Sequence, residues 1–265
     1  MSTNIQNFNL ESIKAAQIVY DTATSPITLL FSGGLDGEFM IRTFQAAKIP
    51  FNIAIISYGD YNAHDTKYAF DFCSSVGITP IVVDIDIDQF IKSGRILEIA
   101  TNAKCCAYQM PSIMEGLLKL DGTLIMANGE PYLKNYNGRW MWQETERVNS
   151  YMNWYKNNKI LGTPDFLRYT PEVTLSFLQN KTVVDLVNNL HPGKLSTRTS
   201  KHKIYSENYD FLPRPKYTGW EEIEKTPLMN NEVFLEIEKL KINFNGQYEI
   251  EYYDLIKNLQ AAQQI

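Results

Sequence analysis

The sequence predicts an α/β protein, a parallel sheet wrapped by helices and followed by a smaller helical region. Three observations carry this. Short β-rich apolar runs alternate with longer segments of helical period through the first half of the chain. The intervening lengths suit right-handed strand–helix–strand crossovers. After about Leu161 the β-rich runs stop, and the pattern becomes helical and loop-rich. The expected division is an α/β domain over 1–162 and a smaller helical region over 163–265.

In chain order, Ile5–Tyr20 reads as a helix and ITLLF (27–31) as the first buried strand. Glu38–Lys48, with apolar residues three and four apart, is the next helix, and NIAIIS (52–57) the second strand. Ala63–Val76 reads as a helix closed by Gly77, since glycine readily takes the left-handed conformation that ends helices. PIVVDI (80–85), a helix over Tyr108–Leu120 and TLIMA (123–127) complete the alternation. Beyond Leu161 the segments TPEVTLSFL, TVVDLVNNL, NEVFLEIEKL and EYYDLIKNLQAA are helical, and the proline-rich Phe211–Tyr217 separates two of them. Apolar runs such as Ile53–Ile56 fall far short of the roughly 18 residues of a membrane span. The first twenty residues lack the features of a secretory signal and the three cysteines are an odd number, so the expected compartment is the reducing cytoplasm.

The formal charge is −5, which argues against a chain built to coat nucleic acid. Between Lys194 and Lys216, however, six basic residues (Lys194, Arg198, Lys201, Lys203, Arg214 and Lys216) face two acidic ones, Glu207 and Asp210. A local positive segment in an acidic protein suits one polyanionic small molecule, or reads as a solvated loop face.

The most informative segment joins the first strand to its helix: Ser32-Gly33-Gly34-Leu35-Asp36-Gly37. Glycines let backbone approach a ligand, and the unpaired N–H groups at a helix start point into the same space, which together make an anion cradle. The loop is neither G-x-x-x-x-G-K-[ST] nor G-x-G-x-x-G, which disfavours a Walker-type NTPase and a dinucleotide fold.

This loop resembles the hallmark of the PP-loop ATP pyrophosphatases, Ser-Gly-Gly-x-Asp-Ser. It agrees at Ser32, Gly33, Gly34 and Asp36 and departs at Gly37, where the family carries serine. The resemblance extends to YNAHDTKYAFDFCSSVGITPIVVDIDIDQF, which looks like the family's second crossover. It implies a Rossmann-like sheet of order 3-2-1-4-5, ATP as cofactor, cleavage between the α and β phosphates, and adenine over the end of the second strand near Ile55–Tyr58, with Ser57 among the nucleotide contacts. With glycine at position 37 the loop carries no hydroxyl there for the pyrophosphate contact that the hallmark serine implies.

In that strand order the ligand crevice lies beyond the first and fourth strands, which selects Asp36 and, in the loop Asn128-Gly129-Glu130-Pro131, Glu130. Two carboxylates beside a triphosphate would suit Mg2+; Asp36 also reads as a helix N-cap and Glu130 as a solvated turn residue. The segment SKHKIYSENYDFLPRPKYTGWEE looks like a basic tail found in some family members. From it Lys216 first, then Arg214, are expected to neutralise the leaving pyrophosphate, with Lys201 as a further nucleotide contact. Trp140–Arg147 and Tyr151–Tyr155 either line the acceptor pocket or belong to the core, the commoner state of such aromatics. Cys105-Cys106 is similar to a pair in sulfonucleotide reductases, yet Cys73 is the only other cysteine, too few for a four-cysteine cluster. His64, His191 and His202 lack metal-ligand spacing and are assigned no role.

The leading expectation is an AMP-forming ligase-type enzyme: a substrate carboxylate or carbonyl oxygen attacks the α-phosphate, pyrophosphate leaves, and an amine or ammonia displaces AMP. The alternatives are sulfur transfer or sulfonucleotide chemistry on the same scaffold, and a nucleotide-binding module without catalysis. The expected partners are ATP, Mg2+ and an unidentified small-molecule acceptor, with no membrane; oligomeric state, including a homo-oligomer, is left open.

Overall fold

The computed structural model describes residues 5–144, 146–189, 200–212, 214–240 and 248–263. Lys194, Arg198 and His191 lie outside the described residues.

Five strands form a parallel sheet: β1 (Ile27–Leu30), β2 (Asn52–Ser57), β3 (Ile81–Asp84), β4 (Thr123–Ile125) and β7 (Leu161–Thr163), in the order β3-β2-β1-β4-β7. The central registers set Leu29 beside Ile53 and Ile125. The first four positions follow the expected order. The fifth is taken by the seventh strand of the chain, because β5 (Leu133–Tyr136) and β6 (Arg139–Glu144) intervene. These two join β8 (Tyr248–Glu251) in a separate antiparallel sheet of order β5-β6-β8. In β7, Gly162 has φ +111° and its Cα side abuts the backbone of Leu124, an approach that any side chain would block.

The central strands are mostly apolar because helices cover both faces of the sheet, with polar Thr28 and Thr123 buried among them and Asn52 and Ser57 at the ends of β2. Successive residues alternate between two cores. Ile27, Leu29, Phe31, Ile53, Ile55 and Ile125 join the first core with α1 (Phe8–Thr22), α2 (Leu35–Ala46), α3 (Ala63–Ser75) and α8 (Pro171–Leu178). Leu30, Ala54, Val83, Leu124 and Met126 join the second, with α4 (Ile87–Lys92), α5 (Arg95–Ala103), α6 (Gln109–Leu117), α7 (Glu146–Asn158) and α11 (Glu232–Leu240). Both cores mix residues from before and after position 162. Among the described residues the remaining α-helices are α9 (Lys181–Asn188), α10 (Ser200–Tyr205) and α12 (Tyr252–Ala262).

Several expectations are corrected in detail. β3 is an edge strand, so Ile81 and Val82 are exposed and only Val83 of that strand is buried. The β3-to-β4 crossover holds α4 and α5 as well as the expected helix. The second helix starts at Leu35, not Glu38, with Gly34 at its N-cap. Gly77 does end α3, with φ +69°. Among the described residues no helix is long and apolar enough to cross a membrane.

Candidate functional site

The loop after β1 is shaped by Gly33. Its φ is +95°, and a Cβ there would lie 2.9 Å from both the Ala69 nitrogen and the Asp65 oxygen of α3, so only glycine lets the loop lie on that helix. Gly34 has ordinary backbone angles and open space beside it, and α2 begins directly after it with no side-chain cap. The first-turn N–H groups of α2 therefore face the crevice without intrahelical acceptors. Ser32 is exposed, whereas Leu35, Asp36 and Gly37 are half-buried. At Gly37 a Cβ would lie 2.7 Å from the Phe31 ring. The side chain of Phe31 thus leaves no room for a side chain at position 37 as the loop stands.

Asp36 is not the N-cap; it sits in the first turn of α2 with its carboxylate engaged elsewhere. Lys201 Nζ donates to Asp36 Oδ2 at 2.7 Å and also to Glu130 Oε2, and the Tyr205 hydroxyl donates to Asp36 Oδ1 at 2.9 Å. Lys201 and Tyr205 stand four residues apart on α10 and so share a face. The Tyr205 ring stacks on Phe39 of α2, centroids 4.4 Å apart, and more distantly on Phe8 of α1, which fixes α10 against the loop. Glu130 is held from the other side. The Asn128 nitrogen donates to the Pro164 oxygen, the Leu167 nitrogen to the Asn128 oxygen, and the Arg168 side chain covers Gly129. Glu130 is thus a fixed group rather than a solvated turn residue. Burial pushes its carboxyl pKa up, the Asp36 charge adding and the Lys201 charge opposing. Burial pulls on Lys201 in the opposite sense, but the two carboxylates outweigh it and raise its pKa, keeping the ammonium charged.

A second ionic group braces the loop from below. Glu38, one turn after Gly34 and only 3% exposed, receives Arg42 at 2.7 Å and pairs with Arg214, whose guanidinium also donates to the Gly33 carbonyl and lies over the Tyr68 ring. Arg214 is consumed by the loop itself, which makes it a positioning residue. Lys216, two residues on, is exposed. The structure therefore brings Lys201, rather than Lys216 or Arg214, between the two carboxylates.

Past Lys216 the chain crosses the start of α3. The Tyr217 ring meets His64 edge-on at 4.7 Å, and Glu221 accepts from His64 Nε2 at 3.0 Å and from the Thr218 nitrogen at 2.7 Å. Beside them Asp65 is 9% exposed, and burial, with the Glu221 charge adding and His64 opposing, pushes its carboxyl up to about 6. At the end of β2 the Ser57 hydroxyl accepts from the Gly59 nitrogen at 3.1 Å, shaping the turn over which adenine was expected.

Other candidates resolve into packing. Trp140, Trp142, Tyr151, Trp154 and Tyr155 are all buried core residues. Cys105 is buried, with its sulfur 3.5 Å from the Met110 sulfur. Tyr205, Glu38 and Asp65 escaped the sequence reading. The four-residue spacings Lys201/Tyr205 and Glu38/Arg42 were the available signals.

Asp36 and Glu130 as they stand do not fit a protein-bound Mg2+. Both Asp36 oxygens and one Glu130 oxygen already accept hydrogen bonds, and among the described residues no group of three or more His, Cys, Asp or Glu could hold a metal ion. No protein-family model, curated protein or solved structure matches the chain.

Proposed function

We propose that the chain is an ATP-dependent, AMP-forming enzyme that activates a carboxylate or carbonyl oxygen of a small molecule for attack by an amine or ammonia. One observation carries the reading: a glycine loop and helix start, two carboxylates and a buried lysine converge beyond β1 and β4. There the strand order reverses, which is where open α/β sheets take their ligands. The phosphates of ATP would lie against the first-turn N–H groups of α2, with adenine towards Ser57 and Tyr58.

Asp36, Glu130 and Lys201 together sum to one negative charge, so a triphosphate approaches best with its own Mg2+ on the phosphates. That ion would supply charge neutralisation of the leaving pyrophosphate. The chain's own part is positional: Arg214 and Glu38 hold the loop, and Lys201 keeps a cation beside the cradle. The substrate oxygen bonds to the α-phosphorus as the bond to the β-phosphate bridging oxygen breaks, releasing pyrophosphate; the amine then takes the activated carbon and AMP leaves.

The test is pyrophosphate release from ATP during a screen of acids and amines, paired with calorimetric ATP binding. Gly34→Val places a branched side chain over the cradle and is expected to weaken ATP binding strongly. Full ATP affinity in a folded Gly34→Val variant would refute the cradle. ATP binding with no pyrophosphate for any acceptor would favour a non-catalytic module.

A further inference from the structure

The carboxylate pair at the crevice already has a cation. The Lys201 side chain is 13% exposed, and its ammonium lies between Asp36 Oδ2, at 2.7 Å, and Glu130 Oε2. These carboxylates come from distant parts of the chain, one from the helix after β1 and one from the loop after β4. The scaffold that delivers Lys201 to them is rigid: the Tyr205 hydroxyl closes the second Asp36 oxygen, and its ring is clamped in the stack with Phe39 and Phe8.

A divalent ion held by protein needs several oxygen ligands. It would compete for the same oxygens that Lys201 and Tyr205 now hold, and the described residues offer no third acidic group nearby. We propose that Lys201 is the resident cation of this crevice, standing in the place of a protein-bound divalent metal, and that the nucleotide-free chain accordingly binds no divalent metal between Asp36 and Glu130. The roles follow. Asp36, Glu130 and Tyr205 position the ammonium, and any metal in the reaction arrives on a ligand. The inference concerns the crevice of the proposed function but does not depend on ATP being its ligand.

Removing the ammonium has a definite consequence. Lys201→Met keeps most of the aliphatic stem and deletes the charge, leaving two partly buried carboxylates facing one another. Such a pair is destabilising until it binds a proton or another cation. The variant should therefore acquire the metal site that the wild type lacks.

The probe is Mn2+, followed on the nucleotide-free full chain by electron paramagnetic resonance and by melting temperature. The wild type is expected to show no Mn2+ uptake that depends on Asp36. Lys201→Met is expected to melt lower without metal, to bind Mn2+ at least about tenfold more tightly than the wild type, since affinity follows the charge of the free ligands, and to regain melting temperature as Mn2+ is added. Adding Asp36→Asn to Lys201→Met should abolish both gains. Mn2+ uptake by the wild type that is lost in Asp36→Asn would overturn the proposal, as would a folded Lys201→Met that takes up no more Mn2+ than the wild type. If Lys201→Met folds only with Mn2+ present, the proposal is supported; if it folds under neither condition, the wild-type and Asp36→Asn titrations decide alone. The pyrophosphate assay is separate, so a failure of the nucleotide reading remains distinguishable.

Discussion

Serine in place of Gly37, as in the hallmark that the loop resembles, should damage this protein. Gly37 lies in the first turn of α2, where a Cβ would sit 2.7 Å from Phe31 Cδ2 and 3.3 Å from Cε2. Carbon atoms rest best at about 3.5–4.0 Å, so the first contact is well inside the repulsive wall. The ring cannot easily retreat: Phe31 is 2% exposed and packs edge-on against Phe72, centroids 5.5 Å apart. Overpacking of this kind costs about 1–3 kcal/mol, and replacing a helical glycine by serine returns about 0.5 kcal/mol, which leaves Gly37→Ser destabilised by about 0.5–2.5 kcal/mol. The assay is a double-mutant cycle of denaturant melts with Gly37→Ser, Phe31→Leu and the pair. Leucine vacates the ring edge, so the double variant should be more stable than the sum of the single changes predicts, by about 0.5–3 kcal/mol. A Gly37→Ser variant as stable as wild type, or strict additivity with Phe31→Leu, would refute the steric account.

Three further outcomes follow from the same geometry. Asp65 binds its proton more tightly folded than unfolded, so its ionisation removes stability as pH rises from its ordinary value of 3.8 through about 6. Denaturant melts of Asp65→Asn against wild type should move in favour of the variant by about 3 kcal/mol between acid and neutral pH, and a flat difference would show that Asp65 is not buried as described. Gly33→Ala combines positive φ with backbone contacts and should cost about 1–3 kcal/mol in a melt, whereas Gly34→Ala, with backbone angles that alanine adopts and only the Ser32 hydroxyl 3.6 Å away, should change stability by under about 1 kcal/mol in either direction; equal losses would refute the distinction between the two glycines. Arg214→Met leaves Glu38 buried with Arg42 as its remaining partner, and the expected loss is about 3 kcal/mol, the lower end for a broken buried pair, with an unchanged melt showing that Arg214 does not brace the loop.

What the sequence determined by itself was whatever is local. The apolar runs of β1, β2 and β4 marked strands covered on both faces, the periodicity of α1, α2, α3 and α6 marked helices, and the double glycine after β1 marked the tight loop that leads into α2, because each pattern lies within a few consecutive residues. Tertiary structure decided the rest. β7 is three residues long with a glycine at its centre, too little pattern to see, and it is a strand only because Leu124 lies alongside it. β3 carries the same apolar residues as its neighbours but lies at the sheet edge, and β6 finds β8 across a span of chain that no periodicity bridges. The charges show the principle most clearly. The sequence displayed a basic segment and two candidate carboxylates and put Lys216 and Arg214 ahead of Lys201, but folding brought Lys201 across 165 positions to Asp36 and Arg214 to Glu38. Composition records which charges a chain carries, but only packing of α10 on the Phe8–Phe39 stack could decide which ammonium enters the crevice.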